Sequence, residues 1–196
     1  MLVLLVFAVA KRSNRIASLL VLYAFAYLAL GVLQNQRAAL VAEELALSRG
    51  HTPVNLGLKP SFANIVVWKS VYEYQGRYYI DAIRILGSST VYQGVSVDKL
   101  DLARHFPWLS MRSQQAKDVE RFRWFSNGHL ALDPENSERI IDVRYSLIPN
   151  QVTGMWGITL KSSRDSNEHV DWTSNRPVGQ AAINKTTELL DMVFGR

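Results

Sequence analysis

Four histidines are the side chains of this sequence best suited to bind a metal or move a proton: His51, His105, His129 and His169. No two of them stand at the His-x-x-x-His or His-Glu-x-x-His spacing that puts two imidazoles on one helix face. The chain also has no cysteine, which excludes thiolate nucleophiles, disulfides and cysteine-based zinc sites. Because an isolated histidine is more often a satisfied surface side chain than a ligand, we assign no metal ligand and no cofactor-binding residue within this chain.

The densest group of polar donors lies between residues 165 and 171. Donors recur there at every second position: Asp165, Asn167, His169 and Asp171. Ligands at such spacing can surround a hard cation, and calcium is the ion to test first. The EF-hand loop, however, requires glycine at its sixth position and glutamate at its twelfth, where this chain has Val170 and Arg176. A solvated loop is therefore the favoured interpretation.

A serine precedes the Asn127-Gly128 turn and is followed by a histidine and an aspartate: Ser126, His129 and Asp133. Nearness in sequence does not make a catalytic triad, because the fold builds that geometry. The chain also lacks the Gly-x-Ser-x-Gly elbow of serine hydrolases. Turn hydrogen bonds from Ser126 and Asn127 are the stronger interpretation, so the catalytic residues stay unassigned.

The positive charge is not concentrated in the C-terminal part of the chain. The net charge is +5, with five basic and two acidic residues in positions 1–50 and seventeen and fifteen in positions 51–196. This near balance argues against a nucleic-acid-binding domain. Four arginines could bind lipid headgroups or an acidic ligand, although nearby acids favour ordinary surface salt bridges: Arg121, Arg123, Arg144 and Arg164.

An uncharged run of 18 residues, positions 16–33, predicts where these groups are held. As a helix it would be ~27 Å long, close to the ~30 Å hydrocarbon core of a bilayer. It follows the basic residues Lys11, Arg12 and Arg15, which the positive-inside bias keeps cytoplasmic. We therefore expect a transmembrane helix with the lipid bilayer as partner and the C-terminal domain on the opposite, outer side.

Residues 1–10 are apolar but too short to span a bilayer alone. In a signal peptide the charges precede the apolar segment, whereas here they follow it. The segment is more typical of the tail of a preceding membrane helix. Residues 1–10 are thus a possible remnant of a second membrane-spanning helix. This interpretation favours a chain that is the C-terminal part of a longer protein.

The rest of the sequence predicts a helical stalk and then an α+β domain. The units are residues 1–34 in the membrane, 35–50 as the stalk and 51–196 outside the membrane. Gly50 and Pro53 end the stalk, for which an amphipathic helix packed on the domain is an equal alternative.

β-branched and aromatic residues in 65–74 and 77–86 predict an antiparallel hairpin around Gln75-Gly76. Trp68, Tyr72 and Tyr74 share one face, which we expect to be core rather than a ligand platform.

The remaining periodicities predict a mainly antiparallel sheet with flanking helices. Residues 111–125 favour a helix, with a strand around Phe122 and Trp124 as the alternative. The other predicted elements are a strand at 91–97, a helix at 98–106, strands at 129–132, 141–145 (half-buried) and 156–160, polar loops at 134–138 and 162–176, and a terminal helix after Pro177.

Several short stretches, in this order and spacing, resemble a known family. They are Arg49-Gly50 with Pro53, Lys59-Pro60-Ser61-Phe62-Ala63-Asn64 with Trp68, Val71-Tyr72 and Tyr78-Tyr79, Phe122-Arg123-Trp124-Phe125-Ser126-Asn127-Gly128, and Asp142-Val143-Arg144-Tyr145. Over residues 16–160 the chain resembles the C-terminal half of the YdjM-like, or DUF457, family of bacterial inner-membrane proteins. The family is described as membrane-bound metal-dependent hydrolases. The resemblance implies the bacterial inner membrane, with the C-terminal domain on the periplasmic side.

The resemblance implies a hydrolase in which a divalent metal activates water. In that family the metal ligands lie in the N-terminal membrane half, within His-Arg-Gly-x-Thr-His-Ser and Pro-Asp-x-Asp stretches. Neither stretch occurs here, and residues 48–52 lack the leading and second histidines. We therefore expect a C-terminal portion without the metal site. The alternative is a non-catalytic, membrane-anchored module that binds a partner protein, a lipid or another envelope component.

Overall fold

The computed structural model describes residues 14–196, so the apolar segment 1–10 and the basic residues Lys11 and Arg12 lie outside the described residues. Helix α1, Asn14–Ser48, runs without a break through both the apolar run and the predicted stalk. Within the described chain it is the one helix long and apolar enough to cross a membrane. Its most apolar window has a mean hydropathy of 2.3 and is only 6% buried. The core helix of a soluble domain would be mostly buried, so the exposure makes this helix a candidate for crossing a membrane.

The C-terminal half of α1 packs on the domain. Ala38, Ala42 and Ala46 recur every four residues and are fully buried, so they form one ridge on the helix. The ridge lies against a layer that includes Trp68 and Ile83. The stalk is thus a continuous helix and also a packed one. It ends at Ser48, and the turn that follows contains Gly50, whose positive φ of 75° suits a residue without a Cβ.

Two four-stranded antiparallel sheets form the domain, where the sequence predicted one. The first, sheet A, has the order β1-β2-β3-β4, and the second, sheet B, has the order β5-β6-β7-β8. Their strands are β1 Val54–Pro60, β2 Val67–Tyr74, β3 Arg77–Leu86, β4 Ser88–Asp98, β5 Leu130–Asp133, β6 Asn136–Asp142, β7 Trp156–Thr159 and β8 Asp171–Ser174.

The predicted hairpin is confirmed as β2–β3. Gln75 and Gly76 both have positive φ, 48° and 73°, which is the conformation of the two-residue turns that suit the twist of paired strands. Trp68 and Tyr72 are buried as expected, on the face of sheet A that α1 covers, whereas Tyr74 at the end of β2 is only half-buried. β4 is longer than the predicted 91–97. Its bulge brings Gly94 against the carbonyl of Ile80, where an added Cβ would lie 2.1 Å from that oxygen.

Sheet B corrects three of the sequence predictions. The polar loop 134–138 is only a tight turn, because Asp133 already pairs with Asn136. The polar loop 162–176 contains strand β8, which pairs with β7. The strand predicted as half-buried at 141–145 is instead β6, which ends at Asp142 and is buried on both faces over its last four residues. It is sandwiched because sheet A covers one of its faces and α3 the other.

Three further helices complete the domain: α2 Leu102–His105, α3 Gln114–Phe125 and α4 Gln180–Phe194. The helical interpretation of the segment around Phe122 is confirmed, and α3 begins after Ser113, whose hydroxyl accepts the Ala116 N–H at 3.2 Å. The short helix predicted at 98–106 keeps only its last turn, since Asp98 belongs to β4. α4 packs on the face of sheet A away from α1, through Leu189 and Met192.

Replacing Ala42 by leucine tests the packed ridge. Leucine would push α1 away from sheet A, and overpacking of this kind destabilises by about 1–3 kcal/mol. We expect Ala42→Leu to lower the free energy of unfolding in detergent, followed by tryptophan fluorescence in denaturant. Exposed Leu40 on the same helix is the matched position, and Leu40→Ala should change little. Equal effects of the two substitutions would contradict the packing.

Candidate functional site: a basic pocket between the two sheets

The histidines do not gather. Among residues 14–196, no three His, Cys, Asp or Glu side chains come together as a metal-binding group. His51 bonds the Tyr72 hydroxyl at 2.8 Å, and His105 accepts the Asp101 N–H at 3.1 Å. His169 lies against the Asp118 carboxylate, 2.8 Å from Nδ1 to Oδ2.

The donors of the 165–171 segment point to different partners. Asp171 pairs with Arg164 and Lys161, at 2.6 and 3.0 Å, whereas His169 turns to Asp118. Burial alone would raise the pKa of Asp118, but hydrogen bonds from Gln114, His169 and the Val170 N–H lower it. This buried carboxylate fastens the loop to α3, and in this arrangement the donors of the segment do not converge.

The Ser126, His129 and Asp133 set does not form a triad. Ser126 is buried and donates to the Arg123 carbonyl at 3.1 Å, as expected of a turn residue. Asp133 instead accepts from Arg139 at 2.6 Å. The four arginines named from the sequence each lie near a carboxylate, as the salt-bridge interpretation expected: Arg121–Asp118, Arg123–Glu120, Arg144–Asp142 and Arg164–Asp171.

Polar side chains from three stretches that are far apart in the sequence meet in one pocket of about 450 Å³. Strand β1 contributes Lys59, the turn before β5 contributes Asn127 and His129, and the segment after β6 contributes Arg144. The remaining lining residues are uncharged: Asn55, Leu56, Gly57 and Val71. We call this the basic pocket. Within the described chain no acidic side chain lines it.

Arg144 is held in place by a carboxylate beneath it. Its Nη2 and Nε donate to the fully buried Asp142 at 2.7 and 3.0 Å, and Nη2 also donates to the Phe125 carbonyl at 3.0 Å. The hydrogen bonds to Asp142 raise the pKa of Arg144, so it keeps its charge at all relevant pH values. Nη1 is left to bind a ligand, since no protein acceptor of the described chain engages it.

Lys59 supplies the second cation. Its Nζ lies 5.8 Å from the centre of the Tyr145 ring, in a cation–π contact, and Arg144 lies 5.2 Å from the same ring. Among the described residues no carboxylate is within ion-pair distance of Lys59. One ammonium and one guanidinium group therefore lie beside the Tyr145 ring, and only the buried carboxylate of Asp142 balances their charge.

His129 and Asn127 complete the polar lining. The His129 Nδ1 lies 2.9 Å from the Asn127 carbonyl. A carbonyl oxygen can only accept, so Nδ1 carries the hydrogen, and Nε2 is left for another contact. The imidazole stacks on the Tyr78 ring with centroids 5.8 Å apart, which fixes its plane. Cations, an amide and an imidazole around a small pocket are suited to an oxyanion such as phosphate or carboxylate.

Sequence reasoning named Arg144 and His129 but not Lys59, and it did not bring them together. The available signal was that Lys59, Asn127 and Arg144 each belong to a stretch that carried the family resemblance. Comparison of the chain with protein-family models, curated proteins and solved structures finds no match.

Proposed function

We propose that this chain is a membrane-anchored domain that binds an anionic component of the cell envelope in the basic pocket. The observation that carries the proposal is the meeting of Lys59, His129 and Arg144, from three distant stretches, in a pocket without an acidic lining. Arg121, Arg123 and Arg164 each pair with a carboxylate, whereas Lys59 has no carboxylate partner among the described residues. The free ammonium of Lys59 beside Arg144 costs electrostatic energy, which an anionic ligand would offset.

The anchor in this proposal is the N-terminal half of α1. Its apolar side chains are exposed on every side of the helix, which suits lipid and not water. Because the same helix packs on sheet A, the domain would stand directly on the membrane surface. The basic residues before the helix favour the outer side for the domain, and the family resemblance favours the bacterial inner membrane.

A second candidate follows from the family resemblance: the C-terminal portion of a membrane-bound metal-dependent hydrolase. It is favoured by the fact that four of the resembling stretches contribute to the basic pocket, which would then bind an anionic part of the substrate. The described residues do not offer a donor group that fits a catalytic metal. The metal ligands would therefore lie outside this chain.

Charge placed in the middle of the apolar run tests the anchor. Arginine at the centre of a spanning helix costs roughly 2.5–3.5 kcal/mol per residue. We expect the wild-type chain to stay with membranes after extraction at high pH, and the variant Leu22→Arg/Leu28→Arg to be released. Leu47→Arg, at an exposed leucine of the same helix beyond the run, is the control and should remain bound. Release of the wild type would contradict anchoring.

Calorimetric titration of the detergent-solubilised chain tests the pocket, with inorganic phosphate and a short-chain anionic phospholipid as probes. Lys59→Gln should weaken binding about tenfold, equivalent to about 1.4 kcal/mol. Lys117→Gln makes the same charge change at an exposed lysine on α3 and should leave the affinity unchanged. If both variants lose affinity equally, binding is non-specific charge attraction and the pocket proposal fails.

The same titration with Zn²⁺ or Mn²⁺ tests the second candidate. Stoichiometric, tight binding of either metal by this chain alone would contradict the placement of the metal ligands outside it.

A further inference from the structure

A buried lysine and a serine form a hydrogen-bonded pair on the other side of the segment that follows β6. Lys69, in the middle of β2, is only 2% exposed. Its Nζ lies 2.8 Å from the Ser146 hydroxyl oxygen and 2.7 Å from the Gln151 carbonyl. The carbonyl fixes the position of the amine, and the serine lies within proton-transfer distance, as a nucleophile and its base require.

The surroundings of Lys69 favour a neutral amine. Burial lowers the pKa of Lys69 to about 7, against the opposing attraction of Asp142. Lys59 stands directly opposite it in the β1–β2 register, and two like charges in that position are unfavourable. From α4, Lys185 and Glu188 reach only the Gln151 side chain, at 2.8 and 3.0 Å, so they form a balanced pair nearby.

Ser146 faces a second pocket, of about 730 Å³, which we call the apolar pocket. Most of its exposed lining is apolar. The larger apolar side chains that line it are Phe62, Leu147, Met155, Pro177 and Leu189. A cavity of this size and character suits a hydrocarbon or aromatic group.

We propose that Ser146 and Lys69 are a nucleophile and general base that hydrolyse an ester or amide of an apolar acyl group bound in the apolar pocket. The Ser146 oxygen bonds to the acyl carbon while its proton passes to the neutral amine of Lys69. The bond to the leaving alcohol or amine then breaks, and the Lys69 ammonium returns the proton to it. Water repeats the two steps on the acyl-serine and releases the carboxylic acid, so no other reactant is needed.

Two local features are compatible with this chemistry. The Ser146 hydroxyl donates to the Ile148 carbonyl at 2.6 Å when Lys69 is charged, and turning that hydrogen toward a neutral Nζ needs only rotation about one bond. The backbone N–H of Leu147 donates to no protein group of the described chain, so it is free to stabilise a developing oxyanion. The proposal does not depend on ligand binding in the basic pocket, because neither Lys59 nor Arg144 takes part in any of the proposed steps.

Labelling with a fluorophosphonate tests the pair, because such probes form a stable bond only with an activated serine and release fluoride. The full-length chain in detergent is treated at pH 8 with probes carrying a decyl or a methyl group, and the product is mapped by mass spectrometry. We expect a single adduct on Ser146, faster with the decyl probe. Ser146→Ala should abolish it, Lys69→Met should slow it at least about 100-fold, and Ser163→Ala, at an exposed serine, should leave it unchanged.

The wild-type protein alone can overturn the proposal, which matters if Lys69→Met does not fold. The labelling rate of the wild type should rise as the pH is raised through about 7, because the proton must leave Lys69 first. No adduct on Ser146, or a rate that is independent of pH, would show that Lys69 and Ser146 only tie the loop to sheet A. The titration of the basic pocket is unaffected by either result.

Discussion

The close approach of α1 to sheet A is the contact on which the rest of the structure depends. A helix can lie this near a sheet only where its side chains are small, and the ridge of Ala38, Ala42 and Ala46 meets that condition. Polar contacts fix the position along the helix. Gln34 donates to the Ile85 carbonyl at 2.7 Å near one end. At the other end, Arg49 donates from both of its terminal nitrogens to the buried Asp81 carboxylate, at 2.6 and 2.9 Å.

With one face of sheet A covered by α1, its other face has to form the remaining interfaces. Val71 and Ile80 meet sheet B, and Val67 and Ala82 meet α4. The two lysines on this face, Lys59 and Lys69, are neighbours in register but have different environments. Lys59 lies at the edge strand, beside a solvated pocket. Lys69 lies under the loop after β6 and is excluded from water. Lys59 is therefore suited to bind an anion, and Lys69 is suited to accept a proton.

The sequence was most informative where a structure is determined locally. The β2–β3 hairpin depends on turn residues that tolerate positive φ, and α3 depends on its own periodicity and the Ser113 cap, so both could be predicted. Strand β1 was missed although Val54, Leu56 and Leu58 alternate along it, a pattern that the sequence did offer. Strand β8 was missed because it is short and polar and forms only by pairing with β7. The two pockets were missed for the same reason. Lys69 and Ser146 are 77 positions apart, and only the packing of sheet A against the loop brings them together.

Crosslinking tests most directly whether α1 and the domain form one rigid unit. A Cβ at Gly31, near the end of the apolar run, would lie 3.9 Å from the Ile65 side chain, and the chain has no cysteine of its own. In lipid vesicles, Gly31→Cys/Ile65→Cys should form an intramolecular disulfide rapidly on mild oxidation, whereas Leu30→Cys/Ile65→Cys, which shifts the helical cysteine around α1, should not. Failure of the first pair to crosslink, or equal crosslinking of both, would contradict a fixed junction between the apolar helix and sheet A.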